Sequence, residues 1–204
     1  MADKIAIYGG SFNPIHNAHL KVCVYAMKEC QLDKVIFMPN ANPPHKEKDL
    51  LVSAKHRYNM VKLAISDYPD FEISDYEMNK INPSYTIDTM RHMASQLGSY
   101  IYFIIGADSL YTLHKWKDYP DLIKECNFIV ADRTCSEGSD IKKAADLINS
   151  QGGSVTVISM PKEDITSTYI RQCVKKGIDV SEFLPDKVNE YIQSNNLYKS
   201  NLED

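Results

Sequence analysis

A chain of 204 residues, 44% of them apolar and 25% charged, holds enough material for a sizeable core without covalent staples. Its formal net charge of −4, with signs mixed along the chain, excludes a broad duplex-binding face but leaves room for a local basic pocket. Five cysteines (Cys23, Cys30, Cys126, Cys135 and Cys173), odd in number, scattered and without a Cys-x-x-Cys pair, exclude a disulfide framework and a zinc knuckle and read as reduced, mostly buried thiols.

The N-terminus enters a strand without a leader, and no apolar run approaches a bilayer span, so a cytoplasmic location without a membrane partner is expected. Strand-like runs at 5–8, 35–38, 100–105, 128–131 and 155–158 alternate with helical patterns at 18–30, 54–66, 87–97 and 141–150. That alternation predicts an α/β fold with a parallel sheet covered by helices on both faces. Two further helices are expected at 168–176, stopped by Gly177, and at 186–194, opened by Pro185. The whole chain, 1–204, then reads as one domain with a small helical C-terminal portion over about 165–200.

In such sheets ligands sit beyond the carboxyl ends of the strands. The unusual residues do follow strands: Gly9-Gly10-Ser11, the long charged loop 39–52, Gly106-Ala107-Asp108, and Ser159-Met160-Pro161 leading to Ile165-Thr166-Ser167-Thr168. The run 133–140 is a weaker loop candidate. The first loop belongs to the stretch Ile5-Ala6-Ile7-Tyr8-Gly9-Gly10-Ser11-Phe12-Asn13-Pro14-Ile15-His16-Asn17-Ala18-His19, in which a glycine turn precedes two histidines three apart where a helix begins. No glycine follows Gly10 before Gly98, so neither a Gly-x-Gly-x-x-Gly dinucleotide turn nor a P-loop is present. Zinc is disfavoured, since Asn17 stands where a His-Glu-x-x-His helix has glutamate, the spacing is one short, and no third ligand is evident. A phosphate contact is the favoured role, with no metal set expected on the protein itself.

Gly-Gly-Ser-Phe-Asn-Pro-Ile-His-Asn-Ala-His resembles the opening motif of the nucleotidyltransferase superfamily whose signature is His-x-Gly-His, and is most similar to that of the bacterial nicotinate mononucleotide adenylyltransferases. The resemblance continues through Pro43-Pro44-His45-Lys46, Ser84-Tyr85-Thr86, Ile105-Gly106-Ala107-Asp108, Trp116, Ile165 to Arg171 and the closing Leu184-Pro185 to Leu197-Tyr198. It implies a Rossmann-like fold and transfer of the adenylyl group of ATP to nicotinate mononucleotide, with magnesium accompanying ATP and no polymeric nucleic acid as partner. A homo-oligomer is left open. Two departures stand out: Ala18 at the signature glycine, which adds a methyl between the histidines, and Lys80-Ile81-Asn82 where the family tends to have arginine and glycine.

The resemblance implies His16, His19, Lys46 and Arg171 as catalytic, with His19 first among them for stabilising the transition state. Around ATP it implies Gly9, Gly10, His16, His19, Gly106, Asp108, Ile165, Ser167, Thr168 and Arg171. Around the mononucleotide it implies Ser11, Phe12, Lys46, Tyr85, Thr86 and Trp116. Blander roles compete: Lys46 as a solvated loop lysine, Asp108 as a helix cap, the Ser-Thr run as a cap alone, and Trp116 as a core plug, although its neighbours His114, Lys115, Lys117 and Asp118 argue for exposure. A phosphopantetheine adenylyltransferase and a non-catalytic nucleotide sensor are the rival readings.

Overall fold

A computed structural model describes residues 3–41, 51–80, 84–98, 100–132, 140–161 and 163–199. In chain order the elements are β1 (Lys4–Gly10), α1 (Asn17–Cys30), β2 (Lys34–Pro39), α2 (Ala54–Ala64), β3 (Phe71–Ile73), α3 (Thr86–Leu97), β4 (Tyr100–Ile105), α4 (Ala107–Thr112), α5 (Tyr119–Glu125), β5 (Asn127–Asp132), α6 (Asp140–Ser150), β6 (Ser154–Ser159), α7 (Ser167–Lys175) and α8 (Asp186–Ser194). The strands form one sheet in the order β3-β2-β1-β4-β5-β6, with every neighbouring pair parallel.

Strand β1 lies in the middle and is buried on both sides, which is why its apolar run does not alternate. Ala6 and Tyr8 join one core with residues of α1, α2, α7 and α8, while Ile5 and Ile7 join a second core with α3, α4, α5 and α6. Phe37 of β2, fully buried in the first core, contributes roughly 2–3 kcal/mol by leaving water. No helix among the described residues is long and apolar enough to cross a membrane.

The expected helices and strands are present, with ends displaced by a residue or two. Three elements escaped the sequence pattern. Strand β3 has three residues, too few to show a period, and α4 and α5 are helices of six and seven residues that both lie between β4 and β5, too short to show an amphipathic repeat. Most of the 39–52 loop, including Lys46, and nearly all of the 133–140 run lie outside the described residues.

The strand order explains the site. From β1 the chain runs to β2 and β3 on one side, then crosses to β4 on the other, so the direction of winding reverses between β1 and β4. At that carboxyl edge a cavity of about 260 Å³ opens among Tyr8, Val22, Gly106, Asp108, Ala131 and Ile141.

Candidate active site

Gly9 and Gly10 are the last residues of β1, and glycine is demanded there by close approach. A Cβ on Gly9 would lie 2.9 Å from the Phe103 ring, and one on Gly10 would lie 3.0 Å from the Phe12 ring. Phe12 follows in the left-handed region with φ 45°, an uncommon conformation for a bulky residue. Its ring is held in the core by Tyr8, Phe37 and His19, with centroids 5.5, 5.9 and 5.3 Å away. The chain then passes through a cis peptide at Asn13-Pro14 into α1.

His16 is the N-cap of α1, extended at φ −146° and ψ 169°, and is 3% exposed. The rings of His16 and His19 stack with centroids 3.7 Å apart, and the His16 N–H donates to His19 Nδ1 at 3.2 Å. An accepting Nδ1 on a neutral imidazole leaves Nε2 as the donor nitrogen of His19. The helix start therefore sets the tautomer. Ala18, between the two histidines, is fully buried, so its methyl is packed away from solvent.

The start of α7 is stitched to this turn. Thr166 caps α7 by accepting the Tyr169 N–H at 3.1 Å, which confirms a cap in the Ser-Thr run. The Ser167 hydroxyl donates to the Pro14 carbonyl at 2.9 Å. Arg171 donates to the Asn13 carbonyl at 2.8 Å and to Thr168 Oγ1 at 3.2 Å, and burial lowers its pKa from the usual arginine range without discharging it. Ile165 packs against the first core, and Lys21 of α1 pairs with Glu163 just before it. The expected phosphate-binding hydroxyls and guanidinium thus also hold the two halves of the site together.

At the end of β4, Gly106 is exposed and is itself the N-cap of α4. Asp108 is the second helical residue, two positions past the cap, so the competing reading of Asp108 as the helix cap is corrected: the cap is Gly106. Among the described residues, and apart from its own chain neighbours, no heavy atom is found within 4 Å of where a Cβ on Gly106 would stand, so the missing side chain keeps space open at the cavity rather than relieving a protein contact. Tyr85 is the N-cap of α3 with Thr86 the first helical residue, and the Lys117 ammonium lies 4.6 Å from the Tyr85 ring while bonded to Asp88 at 3.1 Å. Trp116 is half-buried with an edge contact to Phe103 at 6.5 Å, so it is neither a core plug nor a free surface ring.

Three residues were missed by sequence reasoning. Asn13 is 2% exposed, and its side-chain oxygen accepts from the Val52 N–H at 3.3 Å and the Tyr198 hydroxyl at 2.9 Å. Burial pushes the Tyr198 phenol well above its ordinary pKa, although Arg171 and Arg57 pull it down. Arg57, 1% exposed, bonds main-chain carbonyls at the ends of β1 and β2. Its signal was available: 57, 60, 61 and 64 form the buried stripe of α2, which puts an arginine on a core face.

The description "Cytidylyltransferase-like" belongs to the family model matched over residues 7–173. A protein of Caldicellulosiruptor bescii described as a probable nicotinate-nucleotide adenylyltransferase is 40% identical across 96% of this chain and 99% of its own. One of Clostridium tetani with the same description is 38% identical across 96% and 99%. The solved Plasmodium falciparum nicotinic acid mononucleotide adenylyltransferase complexed with NaAD superposes with a TM-score of 0.79 at 23% identity, covering 98% of this chain and all of that one, which supports the Rossmann-like fold. By the family match and these full-length likenesses, the chain belongs to the cytidylyltransferase-like nucleotidyltransferases, among the nicotinate-nucleotide adenylyltransferases.

Proposed function

We propose that the chain transfers the adenylyl group of ATP to nicotinate mononucleotide, giving nicotinate adenine dinucleotide and pyrophosphate, a step of NAD biosynthesis. The observation that carries the reading is the joint between the glycine turn and α7, which sets a histidine pair against a helix start and a guanidinium at the β1/β4 edge. An oxygen of the mononucleotide phosphate bonds to the α-phosphorus, and the bond from that phosphorus to the bridging oxygen breaks, with the electron pair leaving on pyrophosphate. A phosphate monoester has a second pKa of about 6, so it is largely a dianion at neutral pH and needs no general base.

Catalysis then consists of alignment and charge stabilisation. His19 Nε2–H donates to the phosphates where charge grows, His16 holds its ring, and the α7 start with Arg171 binds the triphosphate. Gly106 and Asp108 receive the adenosine ribose at the cavity. Ser11, Phe12 and Lys46 take the mononucleotide phosphate, while the N–H groups of Tyr85 and Thr86 at the α3 start receive the nicotinate carboxylate beneath Trp116. The family implies a divalent cation. Histidine rings, N–H groups, hydroxyls and a guanidinium form a donor set for anions. That set fits magnesium carried by the triphosphate, where it supplies charge neutralisation. Among the described residues no group of three or more His, Cys, Asp or Glu side chains stands ready to hold a metal.

Pyrophosphate release, measured with ATP, magnesium and either nicotinate mononucleotide, nicotinamide mononucleotide or phosphopantetheine, tests the reading. Turnover is expected with the first and slower turnover with the second. Turnover confined to phosphopantetheine sinks it.

A further inference from the structure

We propose that Arg57 is a positioning residue for the adenylyl transfer, holding Ser11 after β1, Asn40 and Ala41 after β2, and Val52 before α2 in one arrangement and placing a positive charge beneath them. The inference rests on the reaction proposed above. Its carrier is a set of four bonds from one buried guanidinium: Nη1 to Ser11 O at 2.8 Å and Asn40 O at 2.6 Å, Nη2 to Ala41 O at 3.0 Å, and Nε to Val52 O at 3.2 Å. Every acceptor is a main-chain carbonyl. They come from the turn after β1, the turn after β2, and the segment that enters α2.

Because a trans peptide carries its C=O and the next N–H on opposite sides, turning the Ser11 carbonyl onto Arg57 sends the Phe12 N–H away from the guanidinium. The Asn40 carbonyl does the same for the Ala41 N–H. The Asn40 N–H meanwhile donates to the Gly10 carbonyl at 3.1 Å, so the two turns are tied to each other as well as to Arg57. Arginine suits this task, since its planar fork can meet several acceptors at fixed angles and a lysine ammonium cannot.

The charge has a second consequence. Among the described residues no carboxylate pairs with Arg57, and burial lowers its pKa without discharging the guanidinium. Among the described residues its charge is met by carbonyl dipoles and by the neighbouring Tyr198, and its field extends to the turn above it, where two polyanionic substrates meet. Arg57 thereby works through the main chain of Ser11 and through that field.

The test compares wild type with Arg57→Lys, which keeps the charge but not the fork, and Arg57→Met, which keeps only an unbranched apolar stem and removes the charge. For Arg57→Lys, kcat with nicotinate mononucleotide and ATP is expected to fall at least about tenfold. KM for ATP should stay within about threefold, with the melting temperature within about 5 °C of wild type. Arg57→Met is expected to raise KM for both substrates as well. A folded Arg57→Lys with unchanged kcat overturns the positioning role. Should neither variant fold, wild-type protein decides: in a spectrum of ¹⁵N-labelled arginine side chains, the Arg57 Nε–H signal should shift when ATP and magnesium are added. An unmoved signal overturns the proposal. Binding is read there without turnover, so a wild type that shifts but releases no pyrophosphate refutes only the reaction.

Discussion

Replacing His19 separates two roles that the structure assigns to one ring. Its Nδ1 accepts the His16 N–H at 3.2 Å and so closes the first turn of α1, while its Nε2–H is the donor assigned to the phosphates. His19→Ala removes both. Loss of a helix-start acceptor costs about 1 kcal/mol, and for a chain of this size that lowers the melting temperature by about 2–4 °C. Loss of a donor aimed at transition-state charge lowers kcat by about 10²–10³, or roughly 3–4 kcal/mol. His19→Asn keeps a short acceptor for the His16 N–H and removes only the distal donor. The expectation is therefore that both variants lose about 10²–10³ in kcat, that KM for ATP changes little, and that His19→Asn melts close to wild type. Steady-state kinetics by pyrophosphate release and scanning calorimetry read the two roles separately. A His19→Asn enzyme with kcat within about threefold of wild type would show that the Nε2 donor contributes nothing to the transition state.

Trp116→Ala should raise KM for the mononucleotide roughly tenfold with kcat little changed, from loss of about 1.5 kcal/mol of ring contact; an effect on melting alone would return Trp116 to the core. Tyr198→Phe removes the hydroxyl bonded to Asn13 and should cost about 1 kcal/mol, visible as a melting temperature about 2–4 °C lower; an unchanged midpoint would mean that bond adds nothing. Glu77 accepts from Thr89 at 2.7 Å at the edge of α3, and burial raises its pKa against the opposing pull of Thr89 and Lys80. A carboxyl raised in the fold destabilises it above that pKa, so Glu77→Gln should stabilise the protein at pH 8, with the gain vanishing below the ordinary glutamate range. A gain that persists at low pH would rule out ionisation as its cause.

Much of the architecture was legible because buried parallel strands and amphipathic helices write long periods into the sequence. The carboxyl-edge loops were legible because glycine, histidine and proline are unusual directly after an apolar run. Arg57 was not read, although its spacing from Met60, Val61 and Ala64 put it on the core face, because its acceptors are carbonyls and carbonyls have no sequence signature. Asn13 and Tyr198 were missed for a related reason: their meeting depends on tertiary closure, which local patterns do not encode. At Trp116 the neighbouring charges pointed to exposure, whereas the ring is half-buried in an edge contact with Phe103 while Lys117 turns to Asp88 and Tyr85.

The bonds that complete the amino-terminal turn join residues far apart in the chain: Pro14 with Ser167 across 153 positions, Asn13 with Arg171 across 158, and Asn13 with Tyr198 across 185. A nascent chain emerges from the ribosome with this turn among its first residues and the groups that complete it among its last. β1, α1 and β2 can pair early, but the turn between them waits for α7, and then for the segment after α8, before its last acceptor is filled. A chain interrupted after α6 would hold five of the six strands and none of the bonds from α7 to the turn. Activity in translation-arrested or truncated chains should therefore appear only once α7 is present to hold the turn, with the Tyr198 bond adding stability to a site already formed.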